Sequence, residues 1–193
     1  MTRSRPSRLR AAAVAVVEYL VGFIALAWFA YLAFGRGPST DESFVFAFKA
    51  SSLLAAVELG LLLARKAPAN RLIIGANLWL IAGGAAAFLE QWWWLRLYQQ
   101  FGEASLFLGI LIVGVAFTLS SPAGFVGKAG ADSAVKRASL VLLAAVGCAL
   151  VLAVLFRGNV KVAAVVPVIA LSWLNRLLRL RLPEATSEVA RAE

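Results

Sequence analysis

Three polar side chains lie where the chain is otherwise apolar: Glu18, Glu58 and Asn77. Each falls in a stretch hydrophobic enough to cross a bilayer. At 1.5 Å of helix rise per residue, all three sit roughly 8–11 Å below the same membrane boundary. A charged, unpaired carboxylate in hydrocarbon costs several kcal/mol, so both glutamates should turn toward a bundle interior. Two facing carboxyls resist ionising together and titrate as a unit. Such a layer has two chemical uses. Protonated glutamates can hydrogen-bond Asn77 as interhelical glue, or the pair can carry a proton or hold a cation. Thr118 and Ser172 enter from the same side at shallower depth.

Other chemistry is sparse. There is no histidine, which removes histidine acid–base catalysis, haem ligation by histidine and most zinc and copper sites. The single cysteine, Cys148, lies inside an apolar block and has no partner for an intramolecular disulfide. Asp41 and Asp132 are the only aspartates, in loops on opposite sides, so they cannot form an aspartyl dyad. Gly124, Gly127 and Gly130 share one loop, but Gly127-Lys128 is followed by Ala129 and no strand precedes it, which reads as a flexible connector and not a phosphate loop. The expectation is a non-enzymatic chain with no cofactor and no metal.

The elements that must position the polar layer are helices in lipid. Of the 193 residues 62% are hydrophobic and 15% charged, well below the quarter or so expected of a soluble domain. The apolar residues come in long blocks, and only helices satisfy their own backbone groups in hydrocarbon. The blocks predict an all-α, polytopic transmembrane bundle with six spans near 11–34, 44–64, 72–89, 104–120, 138–156 and 162–178, and a polar cytoplasmic tail over 179–193. The first span follows Arg3, Arg5, Arg8 and Arg10 and is too long for a signal-peptide core, so it reads as an uncleaved anchor. The short basic turn Arg157–Lys161 is the weakest boundary, and five spans is the alternative.

Charge placement sets orientation. Fourteen of the nineteen basic residues fall on the side of the N-terminal arginines, the loops near Arg65 and Lys136, and the tail. That side should be cytoplasmic, with both termini inside a bacterial inner membrane. The net charge of +9 then reflects topology and attraction to anionic lipids, with no basic stripe for nucleic acid. Between the third and fourth spans, Trp92, Trp93, Trp94 and Tyr98 mix with polar residues, the composition of an interfacial segment anchored at the outer surface. Lys49 should snorkel to that surface. Ser52, Ala56 and Gly60, then Ala145, Ala149 and Ala153, form ridges for close helix approach, and Gly83-Gly84 gives a further close approach or a bend.

The order of elements resembles the intracellular septation protein A group of small bacterial inner-membrane proteins. The resemblance rests on a second span ending in Leu63-Ala64-Arg65-Lys66, a third carrying Gly83-Gly84, and an aromatic-basic outer segment Glu90–Tyr98. The group's signature outer motif is replaced here by Glu90-Gln91-Trp92-Trp93-Trp94-Leu95-Arg96, and no functional residue carries over. The resemblance implies a non-enzymatic role in envelope maintenance or division through helix-mediated partner contacts. The partners expected of such a chain are membrane lipids and a membrane-protein partner or a second copy. A small proton- or cation-coupled transporter using Glu18 and Glu58 is the competing expectation.

Overall fold

The computed structural model describes residues 22–35, 40–64, 70–128 and 130–182. Among the described residues every regular element is helical: α1 (Ile24–Phe34), α2 (Asp41–Ala64), α3 (Arg71–Phe88), α4 (Trp92–Phe101), α5 (Ala104–Ser120), α6 (Asp132–Leu155) and α7 (Val166–Arg181), the last entered through a π-helical turn at Lys161–Val165. Four stretches are long and apolar enough to cross a membrane: Asp41–Ala64, Arg71–Phe88, Asp132–Leu155 and Lys161–Arg181. That is fewer than the six expected. α1 and α5 are apolar but shorter, at 11 and 17 residues. Residues 11–21, which would complete the first span, and Glu18 with them, lie outside the described residues, as does the tail from 183.

Local chemistry accounts for the boundaries. α2 starts three residues before the apolar block because Thr40 and Ser43 cap each other: Thr40 N donates to Ser43 Oγ (3.0 Å) and Ser43 N to Thr40 Oγ1 (3.2 Å). Asp41 and Glu42 occupy the first turn, where the helix dipole favours negative charge. At the start of α7, Pro167 has no N–H and its ring would crowd the carbonyl four residues back. The preceding turn opens, and Val166 N–H reaches Lys161 O, five residues away. α7 ends at Arg181, and Leu182 is extended (ψ 126°), the conformation favoured for a residue that precedes proline.

α3 is the axle of the bundle. Leu72, Ile73, Ile74, Gly75, Ala76 and Asn77 are all buried in succession, so every side of its first turns is covered. α2 lies along one side, α5 along another, and α1 against its middle. The outer helices leave apolar residues bare: Leu53, Val57 and Leu61 on α2, Val151, Val154 and Leu155 on α6, Ile169 and Trp173 on α7. Exposed apolar faces of this extent on several helices suit hydrocarbon, not water.

Two sequence expectations about packing change. Ala56 and Gly60 are exposed, so the expected ridge on α2 is not its packing face. The buried stripe is Ala47, Phe48, Ser51, Ser52, Ala55 and Glu58. It meets α3 at the glycine pair, where a methyl on Gly83 would overlap the Phe48 ring and one on Gly84 the Ser52 side chain. The loop read as a flexible connector is folded into the core: Phe125 and Val126 are fully buried, between Gly124 (φ 53°) and Gly127 (φ 73°).

Candidate functional site

Asn70 and Asn77 are seven residues apart on α3, hence on nearly one face and roughly 10 Å apart along the axis. Each faces a polar residue from another helix, which makes α3 the polar spine of the bundle as well as its apolar centre.

The first focus is Glu58. The residue is 6% exposed, and Oε1 accepts a hydrogen bond from Ala25 N at 2.9 Å. Phe23 (φ −114°, ψ 9°) departs from helical geometry, so Ala25 belongs to a first turn whose N–H groups lack partners within the helix. Glu58 therefore caps α1 from α2. Gly22, the residue before Phe23, lets the chain approach α3 closely, since any Cβ there would collide with Ile73. Asn77, 1% exposed, lies beside the same carboxyl. Glu58 Oε2 and Asn77 Nδ2 are both buried without a hydrogen-bond partner. The structure thus brings Glu58 and Asn77 together, while Glu18 falls outside the described residues.

The second focus escaped the sequence reading. Asn70 Oδ1 caps α3 by accepting from Leu72 N (3.1 Å) and also accepts from Asn175 Nδ2 of α7 (2.9 Å). Asn175 is fully buried. Next to it Arg71 donates through Nη2 to Ser121 Oγ (2.7 Å) and stacks 4.5 Å from the Phe117 ring. Lys128 closes this end of the bundle, donating to the carbonyls of Arg179 (2.8 Å) and Leu182 (2.6 Å) at the end of α7. An asparagine immediately before an apolar run is a helix-start signal that could have marked Asn70. Asn175 carried no such signal.

At the opposite end, α4 turns its faces differently from the expectation of one interfacial set. Trp92 and Trp93 are exposed and Trp94 is half-buried, but Tyr98 is 8% exposed. Helical spacing puts Trp94 and Tyr98 on the face toward the bundle, where Tyr98 meets Phe44 (5.1 Å), Phe48 (5.5 Å), Trp79 (6.0 Å) and Phe29 (6.2 Å) between ring centroids. Tyr98 is a core residue here, because its ring completes an aromatic cluster shared by α1, α2 and α3. Burial, with the Glu103 carboxyl nearby, pushes its phenol above the usual tyrosine range. Lys49, expected to snorkel, holds its ammonium 5.4 Å from the Phe88 ring.

Among the cavities, one of about 180 Å³ runs between α1 and α7 over Tyr98 and Glu103, one of about 420 Å³ lies among Asp41, Trp92 and Arg96, and one of about 230 Å³ lies among Ser121, Asp132 and Lys136. Neither Glu58 nor Asn77 lines any of these three. Among the described residues no three histidine, cysteine, aspartate or glutamate side chains gather as a metal site. Compared with protein-family models, curated proteins and solved structures, the chain matches none.

Proposed function

We propose that the chain is a non-enzymatic, multi-pass protein of a bacterial inner membrane, serving as a structural or interaction component of the envelope. The observation that carries this reading is the state of Glu58. Glu58 is buried and its Oε1 accepts the Ala25 N–H at the start of α1, an engagement that supports the role of interhelical glue. The bare apolar faces of α2, α6 and α7 suit lipids and a membrane-protein partner or second copy. The role also agrees with what the resemblance to the septation protein A group implies. Two further crossings, by α5 and by α1 with the residues before it, would complete six spans. At 17 residues α5 reaches about 26 Å, a few ångströms short of a typical core, a mismatch that local bilayer thinning accommodates cheaply. Basic residues at the Arg71 end, including Lys128, Lys136, Arg176 and Arg179, support a cytoplasmic placement of that end and of both termini.

One observation favours the second reading, a proton- or cation-coupled transporter. Broken membrane helices that present main-chain groups beside a carboxylate are a recurrent form of ion site, and the Phe23 break beside Glu58 has that form. Proteoliposomes separate the two. With a scaffold, an imposed pH or cation gradient should decay no faster than in empty vesicles, and a hydrophobic carbodiimide should leave Glu58 unmodified. Flux that disappears in Glu58→Gln would overturn the scaffold reading. Reporter fusions at Asn159 and Gly130 should read periplasmic and cytoplasmic respectively, and the reverse pattern would invert the orientation.

A further inference from the structure

The groove between α1 and α7 holds a buried carboxyl that nothing in the fold uses. α1 presents Ala27 and Ala30 to it, and Ala164 of the π-helical turn and Val168 of α7 line its other side, so small side chains border the gap without filling it. Its floor is Phe29 and Trp79, both nearly fully buried. Glu103 lines the same space. It is 8% exposed; its main-chain carbonyl accepts from Leu106 N, while its carboxyl takes part in no hydrogen bond seen among the described residues. It stands at the start of α5 without capping it. Its placement is imposed by Gly102, whose φ of 54° and ψ of −132° reverse the chain in a conformation that side-chain-bearing residues avoid. An acid delivered into an apolar space and left without a partner is costly unless something arrives to meet it.

From the shape, the aromatic floor and that single acid, we propose that this groove binds an amphiphile with a cationic ammonium head and an alkyl tail. The ammonium meets the Glu103 carboxylate in a space that the Tyr98 and Trp79 rings also line, a combination suited to alkylated ammonium groups. The tail lies along Ala27, Ala30 and Val168. An apolar cavity of about 150 Å³ holds a benzene molecule, so 180 Å³ takes the segment of an alkyl chain next to the head, and the rest continues past α1 and α7 into surrounding lipid. The site does not depend on whether the bundle is a scaffold or a transporter.

The test uses the full chain in neutral maltoside micelles and two photoreactive dodecyl probes differing only in the head, trimethylammonium or sulfate. The ammonium probe should label α1 and α7 saturably, and unlabelled dodecyltrimethylammonium should compete while dodecyl sulfate should not. Glu103→Gln should raise the half-saturating concentration of the ammonium probe by at least about tenfold, the scale expected when a desolvated charge pair is lost, with little change for the sulfate probe. Ala164→Trp, which keeps Glu103 and fills the groove, should abolish saturable labelling by the ammonium probe. Circular dichroism and monodispersity identify any variant that has lost the fold, and the probe competition on the unaltered chain stands regardless of them. Equal labelling by both head groups, or an unchanged ammonium response in folded Glu103→Gln, overturns the proposal. So does labelling that never saturates.

Discussion

Replacing Glu58 by glutamine and by leucine separates two ways in which it can hold α1. Oε1 takes the Ala25 N–H at 2.9 Å in a site with 6% exposure, and Oε2 has no partner. Glutamine keeps a carbonyl oxygen where Oε1 stands and puts an amide where Oε2 stands. Asn77 can then turn its own amide so that its oxygen faces the new N–H, since its Nδ2 has no bond to lose. Glu58→Gln should therefore cost less than about 1 kcal/mol, in line with interhelical hydrogen bonds in membranes averaging about 0.6. Glu58→Leu leaves the Ala25 N–H buried and unpaired, at a cost of about 1–3 kcal/mol, partly offset because leucine sits better in an apolar surround. Reversible unfolding of the bundle in mixed micelles of neutral detergent and dodecyl sulfate, followed by tryptophan fluorescence and circular dichroism, would measure both. Leucine should be the more destabilising by about 1 kcal/mol. If glutamine costs as much as leucine, the negative charge and not the hydrogen bond holds the start of α1, and the glue argument fails.

Two further outcomes follow from the packing. Gly84→Ala should destabilise by about 1–3 kcal/mol, because the added methyl overlaps the Ser52 side chain where α2 and α3 are closest. The same unfolding assay should find much of that loss recovered in Gly84→Ala with Ser52→Gly, and no recovery would place the strain elsewhere. The Tyr98 phenol titrates above its ordinary range in the fold, so above about pH 10 the unfolded chain releases a proton that the folded chain keeps. Stability should then fall as pH rises, by up to about 1.4 kcal/mol per pH unit, and Tyr98→Phe should be flatter over that window. Equal alkaline slopes in the two proteins would contradict a buried, protonated Tyr98.

What the sequence made legible was governed by long apolar blocks. Their lengths located α2, α3, α6 and α7, because a bilayer fixes how many apolar residues a crossing needs. Boundaries set by specific bonds were harder to see. The reciprocal Thr40–Ser43 cap and the extension of α6 back to Asp132 carry the helices beyond their hydrophobic stretches. The face of a helix was less legible still. A small-residue repeat at Ser52, Ala56 and Gly60 reads as a ridge whichever way the helix turns, and an alanine-rich chain offers several such repeats. Only the neighbours decide: Phe48 and Ser52 fit against Gly83 and Gly84, and that contact turns Ala56 and Gly60 away.

The polar sites divide along the same line. Glu58 and Asn77 met because depth in a membrane can be counted along a helix, and antiparallel neighbours bring equal depths together. Asn175 could have been counted too, but its partner is Asn70, a helix cap that lies before the apolar run and therefore looked like loop. Tyr98 and Glu103 defeat counting altogether. They stand on either side of Gly102, and the backbone turn at that glycine, not any periodicity, sends the acid inward and leaves it under α1 and α7. A carboxyl placed by a turn has no expected depth and no heptad or ridge to betray it. Its burial is evident only once the helices that cover it are in position, which is why the acid best placed to meet a ligand is one that the apolar blocks hid.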